Sequence, residues 1–291
     1  MSWILFTIIG ITFWSFANIV DKHIIDKRLK NAVLAAVLFE FVSLFPAFWI
    51  FLAYGLPKPG PLLLLAFSAG LLKIASTWLY FKGLKVEEPS RVVALYNLSP
   101  LVVPVFAFIF LGEVLGPEKY LGIMLLVSGA VLISMKGVSG FSLSKAFMPI
   151  MASMLLWVMY YIVIKSAVDS IGFFQTFALS AIGSTAFSIP FIIFYKKEAG
   201  NAIHSKKLSL LLIFSKSLGF AGLAFIMLAL SSGYVSLVSA LESIQPLVVL
   251  LFSYLLGRMR PELLEEGVGR KEMGLKLASI FLMIAGTFLI S

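Results

Sequence analysis

The chain has 291 residues, of which 60% are hydrophobic and only 13% are charged, and its mean hydropathy is +1.04. About a quarter of the residues of soluble proteins are charged, so this composition excludes a soluble enzyme and predicts a multi-pass membrane protein. The formal net charge of +9 would need a folded basic domain to bind nucleic acid, and the apolar stretches leave no room for one. We therefore expect a lipid bilayer, and no nucleic acid, as the partner of this chain.

The chain has no cysteine, and its two histidines, His23 and His204, lie in predicted loops. We therefore expect no metal site and no cofactor. The phosphate-binding motif G-x-x-x-x-G-K-[ST] is also absent from the sequence. The first residues, "MSWILFTIIG", carry no basic segment, and no small-residue cleavage site follows them. We expect Met1 to precede a retained first helix.

Apolar windows of about 20 residues, the length that crosses the hydrocarbon core as a helix, follow one another along the chain. They predict ten spans, at residues 3–20, 33–54, 62–84, 92–111, 119–135, 147–164, 172–195, 208–231, 235–257 and 274–290. The predicted fold is an all-α integral membrane protein with ten transmembrane helices.

The two halves of the chain resemble each other in sequence. "WSFANIVDK" at 14–22 matches "WVMYYIVIK" at 157–165, and "ALYNLSPLVV" at 94–103 matches "ALESIQPLVV" at 240–249. Pro46 matches Pro190, and "SGAVLIS" matches "AGTFLIS", in the same chain order. We interpret these matches as a duplication, with one five-helix repeat at residues 1–140 and a second at 141–291.

An odd number of spans in each repeat predicts that the two halves enter the membrane in opposite orientations. The loops after spans 1, 3, 5, 7 and 9 carry 17 of the 23 Lys and Arg residues, counting Lys82 with its loop. The loops after spans 2, 4, 6 and 8, with Lys119 counted among them, carry three. Because basic loops stay in the cytoplasm, both termini are predicted to be extracytoplasmic, in the cell (plasma) membrane.

Inverted repeats can exchange conformations around a site at the middle of the membrane, which is the basis of alternating access. The pattern favours a secondary transporter with a small-molecule substrate over a nucleotide-driven pump. We expect the chain to act as a monomer.

The whole chain also resembles the EamA type of the drug/metabolite transporter superfamily. The similarity is most specific over residues 80–133, where "YNLSPLVV", "LGE" at 111–113 and a glycine-bearing fifth span follow in order. The resemblance implies ten helices, two inverted repeats around a central pocket, and transport of metabolites, often amino acids and often outward. The chain departs from the family pattern at "LGRMRPE", where a Gly-Glu pair would be usual, and in its predicted external termini.

Four ionisable residues lie well inside predicted spans: Glu40, Lys73, Lys216 and Glu242. A charge at the bilayer centre costs roughly 2.5–3.5 kcal/mol on insertion scales, so such residues typically face a cavity or a partner. Lys73 and Lys216 lie on equivalent spans and predict two cations beside one pocket, unless Lys216 extends to the interface. Glu242 is the candidate for proton coupling, and a structural ion pair with a lysine is the alternative.

Prolines free backbone carbonyls within spans 4 and 9, which predicts kinks at Pro100 and Pro246 beside a polar pocket. The side chains that we expect to complete the substrate site are Tyr96, Asn97, Ser99, Gln245, Trp14, Asn18, Trp78 and Trp157.

Two acids and two lysines make the predicted pocket formally neutral, which favours a zwitterion or polar neutral solute, such as an amino acid. The predicted function is export of small polar metabolites by alternating access, with protons as the candidate coupling ion. An organic-phosphate or nucleotide-sugar antiporter using both lysines is an alternative. An intramembrane enzyme with a Lys73–Ser76 pair is the weakest interpretation, because no oxyanion-hole pattern accompanies it.

Overall fold

The computed structural model describes residues 2–29, 31–87, 89–134, 145–249, 251–252 and 270–290, and every regular element in these ranges is helical. The first half contains α1 Ser2–Lys27, α2 Ala32–Val42, α3 Leu44–Tyr54, α4 Pro61–Val86, α5 Pro89–Tyr96, a 3-10 turn Ser99–Leu101, α6 Val103–Leu111 and α7 Pro117–Ser134. The second half contains α8 Phe147–Ile171, α9 Phe173–Phe194, α10 Lys196–His204, α11 Lys206–Ser232, α12 Val235–Glu242, a helical stretch at 245–249 and α13 Arg270–Ile290. The predicted repeat boundary at residue 140 lies outside the described residues.

Six helical segments in the described part of the chain are long and apolar enough to cross a membrane. They are Ser2–Ile25, Ala32–Tyr54, Pro61–Val86, Phe147–Ile171, Phe173–Phe194 and Lys206–Ser232. Val235–Val249 and Ala278–Ile290 are apolar but shorter. The molecule is therefore an all-helical membrane protein, and the full count of ten crossings remains a prediction.

Three predicted spans are interrupted by breaks in the helix. The second is broken at Ser43, between α2 and α3, and the fourth is broken over residues 97–102, where Pro100 lies in the 3-10 turn. The ninth has a turn at residues 243–244, directly before Gln245 and Pro246. At the two proline breaks the backbone makes the same tight bonds, from Leu98 N to Leu95 O (3.3 Å) and from Ile244 N to Leu241 O (3.1 Å). The matched "ALYNLSPLVV" and "ALESIQPLVV" segments thus share a local backbone form.

Helices of the two halves pack against each other in matching pairs. α1 packs along α11 and α4 packs along α8, and each pair is the counterpart of the other in the sequence repeat. Small residues allow both contacts. A Cβ on Gly222 would lie 2.9 Å from the carbonyl oxygen of Gly10, while Ser76 and Ser153 exchange hydrogen bonds of 2.8 Å at the equivalent α4–α8 contact. Close packing of small side chains is the common way to join helices in lipid.

The shared lysine of the repeat also has the same role in both halves. Lys22 donates to the carbonyl of Leu84 at 3.0 Å, near the end of α4, and Lys165 donates to the carbonyl of Leu230, near the end of α11. Leu84 and Leu230 are equivalent residues of the two halves. Lysines near helix C-termini satisfy carbonyls that have no partner within the helix.

One helix contact has no counterpart of the same closeness. α4 and α9 touch backbone to backbone, since a Cβ on Gly183 would lie 1.9 Å from the carbonyl oxygen of Phe67. Gly70 faces Ser184 at the same crossing. At the equivalent place between α2 and α11, Glu40 and Lys216 stand where the first crossing has Ser184 and Gly70. The two halves therefore differ in packing where the charged residues lie.

Candidate functional site

A cavity of about 180 Å³ lies among helices of both halves, and eight buried polar or charged side chains of the described structure line it. Its lining residues on α1 run from Trp14, beside Trp157 of α8, to Asp21, in the direction of the C-terminal end of α1. Its wall is formed by Trp14, Ala17, Asn18, Asp21, Phe39, Glu40, Lys73, Ser76, Thr77, Tyr80, Phe81, Val93, Tyr96, Asn97, Ser99, Trp157, Ser215, Lys216, Gly219, Leu223, Glu242 and Gln245.

Glu40 is the centre of the charged wall. Its carboxylate is fully buried and lies 2.8 Å from Lys73 Nζ and 3.1 Å from Lys216 Nζ. Ser184 donates to the same carboxylate at 2.6 Å. Both lysines therefore share one counter-charge, and the hydroxyl satisfies a further lone pair. This pairing offsets the cost of burying the Glu40 carboxylate, because an isolated charge in an apolar interior is very costly.

Asp21 adds a third carboxylate to the wall and was not among the site residues predicted from the sequence. Its side chain accepts a hydrogen bond from Ser215, the residue before Lys216. The first span was predicted to end at residue 20, whereas α1 continues to Lys27 and carries Asp21 into the cavity. The signal was present in the sequence, since Asp21 follows Trp14 and Asn18 at helical spacings of seven and three residues.

Glu242 lies apart from the lysines. It is 7% exposed and ends the short helix α12, and Tyr161 Oη donates to its Oε1 at 2.7 Å. In the described structure, both lysines of the cavity pair with Glu40 rather than with Glu242. The predicted alternative, an ion pair between Glu242 and a lysine, is therefore not formed.

The helix that carries Glu242 is fixed from its other end by Glu113. The Glu113 carboxylate accepts hydrogen bonds from the backbone N–H of Val235 at 2.7 Å and of Ser236 at 3.1 Å. These are the first amides of α12, which lack partners within the helix. Glu113, in the "LGE" segment of the first half, thus anchors the helix of the second half that presents Glu242 to the cavity.

Aromatic side chains form the remaining wall. Trp14 and Trp157, equivalent residues of the two halves, meet edge to face with centroids 6.0 Å apart. Trp14 Nε1 donates to the carbonyl of Gly219 at 3.0 Å. Within the described residues, Tyr80 Oη and Trp157 Nε1 are buried without a hydrogen-bond partner. Such groups normally find a partner, so a wall with two of them is suited to a polar ligand.

The chain matches the EamA-like transporter family over residues 1–135 and 144–291. The chain belongs to the EamA-like transporter family.

One curated relative and one solved structure are similar to this chain. A relative named "Uncharacterized transporter in cobO 3'region", from a Sinorhizobium species, is 37% identical over 76 residues, which are 26% of this chain and 54% of the relative. The chain thus spans about half the length of that relative. A solved structure titled "Crystal structure of protein" superposes with a TM-score of 0.70 over 99% of this chain and 96% of the other, at 19% identity, and so shares the fold.

The cavity of this EamA-like chain brings together most of the residues predicted from its sequence. Trp14, Asn18, Glu40, Lys73, Tyr96, Asn97, Ser99, Trp157, Lys216, Glu242 and Gln245 all line it. Trp78 does not. It is 39% exposed and lies with Lys82, Arg28 and Asn31 in a separate groove. An α-helix turns by about 100° per residue, so Trp78 is roughly 140° away from Lys73 on α4.

Membership of the family points to a membrane transporter rather than an enzyme, and the geometry of the weakest alternative agrees. Ser76 is hydrogen-bonded to Ser153, and Lys73 is bonded to Glu40, so these two side chains do not form a nucleophile and base. Both lysines of the phosphate alternative pair with Glu40 in this structure. The part of the chain that the structure describes holds no cluster of three metal-ligating side chains.

Proposed function

We propose that the protein is a secondary transporter that exports small polar metabolites, amino acids or related compounds, by alternating access. A single observation carries this proposal. A cavity with the buried Glu40, Lys73 and Glu242 in its wall lies between the two halves of an EamA-like chain, inside helices that are otherwise apolar. Intramembrane charges around a cavity are typical of substrate and ion pathways.

The asymmetric packing supports alternating access. The α4–α9 crossing is closed by glycines, whereas the equivalent place between α2 and α11 carries the Glu40–Lys216 ion pair. In our proposal, ten spans form two inverted repeats in the plasma membrane, with both termini extracytoplasmic. The cavity then faces the cytoplasm, since it extends toward the end of α1. If the α2–α11 crossing closed and the α4–α9 crossing opened, the cavity would open to the other side of the membrane.

Glu242 is the proposed proton-coupling residue. It is buried and its hydrogen bond comes from a neutral tyrosine, so its protonation is not tied to the Glu40 cluster. A proton taken from one side and released to the other would drive solute in the opposite direction. No cofactor is required, and the solute and protons are the only partners proposed besides lipid.

The test is transport by the purified chain in proteoliposomes. A thermal-shift screen against amino acids, amines, sugars and phosphate esters identifies a ligand, because a compound that binds the folded state raises its apparent stability. Counterflow of that compound is then measured with and without a pH gradient. We expect saturable exchange that is stimulated by the gradient. Exchange no faster than in protein-free liposomes for all four classes would contradict the proposal.

Glu242→Gln is the matched change at the coupling site, since it keeps the shape and removes the charge. We expect loss of the response to the pH gradient. Glu118→Gln, at the exposed first turn of α7, is the control and should behave as wild type. Undiminished pH-dependent transport by Glu242→Gln would exclude this residue from coupling.

A further inference from the structure

The charges that line the cavity do not balance. Three carboxyl groups, Asp21, Glu40 and Glu242, face two lysines, Lys73 and Lys216. The neutral pocket expected from the sequence, with two acids and two lysines, did not count Asp21. With every group ionised, the wall carries one excess negative charge.

The imbalance can be assigned to one residue from the contacts. Lys73 and Lys216 both pair with Glu40, and Asp21 accepts a hydrogen bond from Ser215, the residue before Lys216. These two lysines and two acids, on α1, α2, α4 and α11, balance in formal charge. Glu242 stands on α12, and its described partner is the hydroxyl of Tyr161, which carries no charge.

We infer that Glu242 is the counter-ion for a protonated amine, and that the substrate is a small organic amine with one net positive charge. The inference rests on the proposed transport function and narrows its substrate class. A carboxylate that is buried with only a neutral hydrogen-bond donor gains most from a ligand that supplies the missing positive charge. A ligand carboxylate would find no free cation, since both lysines of the described cavity are held by Glu40.

The rest of the wall suits the body of such an amine. Trp14, Trp157, Tyr80 and Tyr96 place aromatic rings around the cavity, and aromatic rings attract cations as well as apolar groups. The volume of about 180 Å³ limits the ligand to a small molecule. Tyr80 Oη is buried with no partner in the described structure, so it can bond to the amine or to a polar group of its body.

A proton and the amine compete for the same carboxylate in this arrangement, so binding of the amine weakens as pH falls. The other charged or titratable side chains that line the cavity or bond to Glu242 are Asp21, Glu40, Lys73, Tyr80, Tyr96, Tyr161 and Lys216. Of these, Lys73 and Lys216 pair with Glu40, and Asp21 accepts a hydrogen bond from Ser215. Glu113 faces the opposite end of α12 and caps its first amides. Exchange of one amine for one proton then leaves the charge of the cavity unchanged.

The test compares amino acids with the amines that lack only their carboxyl group. Phenylalanine is paired with phenethylamine and leucine with isoamylamine, and binding to the purified full-length chain is measured by calorimetry and thermal shift near pH 7.5. We expect at least one amine to bind about 10-fold or more tightly than its parent amino acid, which is about 1.4 kcal/mol. Equal or tighter binding of the amino acids would overturn the inference, as would binding of no amine at all.

Variants assign the preference to Glu242. Glu242→Gln should remove the preference for an amine over its parent amino acid, while Glu118→Gln, outside the cavity, should retain this preference. Tyr161→Phe keeps the carboxylate and removes its hydrogen-bond donor, so it should keep the preference for amines and serves if Glu242→Gln does not fold. A preference unchanged in Glu242→Gln, or lost in Tyr161→Phe, contradicts the assignment. If amino acids are exchanged in proteoliposomes and amines are not, the transport proposal stands and the inference fails.

Discussion

At the scale of single residues, Glu40 has two cationic partners and Glu242 has none in the described structure. Glu40 thus holds the wall of the cavity together, while Glu242 has capacity for a ligand or a proton. Residue types alone could not distinguish these roles, because both are glutamates about seven or eight residues into an apolar span. The difference comes from α4 and α11, which direct Lys73 and Lys216 toward α2 rather than α12.

The role of Glu40 leads to a stability prediction. Glu40→Gln leaves the buried Lys73 and the half-buried Lys216 without their shared counter-charge, so we expect a loss of about 3–5 kcal/mol in the free energy of unfolding. Lys73→Gln should cost clearly less, because Lys216 still neutralises Glu40 at 3.1 Å. Thermal unfolding of the purified variants in detergent measures which of the two loses more stability. A larger loss for Lys73→Gln than for Glu40→Gln would show that Glu40 is not the centre of the cluster.

The cavity brings predicted site residues together mainly where polar side chains interrupt apolar spans. Such residues must face a cavity or a partner, because exposing a polar or charged side chain to lipid costs free energy. Their placement beside a cavity can therefore be predicted from residue type. Asp21 was missed because the prediction ended the first span at the first charged residue. The structure shows how α1 continues past it, with Lys22 bonded to the end of α4. Trp78 was included on residue type alone, which does not fix the side of a helix.

At the scale of elements, equivalent prolines have different effects. Pro46 follows a break at Ser43, whereas Pro190 lies inside the unbroken α9. The backbone near the first break is bonded by a neighbouring helix, since Thr185 donates to the carbonyl of Glu40 at 2.9 Å. A break in lipid requires such a partner. The sequence predicts that a proline can kink a helix. It does not predict the side chain that bonds the backbone beside the break, because that side chain, Thr185, belongs to another helix.

The α4–α9 crossing should tolerate no added side chain. Gly183→Ala would place a methyl group 1.9 Å from the carbonyl oxygen of Phe67, so the two helices must separate. We expect a loss of about 1–3 kcal/mol in stability from overpacking. Gly200→Ala, on α10, has open space around the added group and is the control. Equal melting temperatures for the two variants would contradict the close crossing.

At the scale of the whole molecule, the duplication predicts the pairing of helices but not the shape of the cavity. α1–α11 and α4–α8 are equivalent contacts with equivalent small residues. The cavity arises where equivalence fails, with Lys216 in place of Gly70 and Glu40 in place of Ser184. These differences between the two halves are visible in the sequence. Their effect on packing is not, because it depends on which helix crossings are closed in a given conformation.

Inversion of the two halves can be tested directly, because the chain has no cysteine to give background labelling. Leu56 follows the second span of the first half and is 78% exposed, and Lys197 follows the second span of the other half and is also exposed. In an inverted repeat the segments that follow these equivalent spans face opposite sides of the membrane. Leu56→Cys should react with an impermeant maleimide applied to intact cells, and Lys197→Cys should react only after permeabilisation, because its loop is basic. Labelling of both from one side would exclude inversion, and the reverse pattern would place both termini in the cytoplasm.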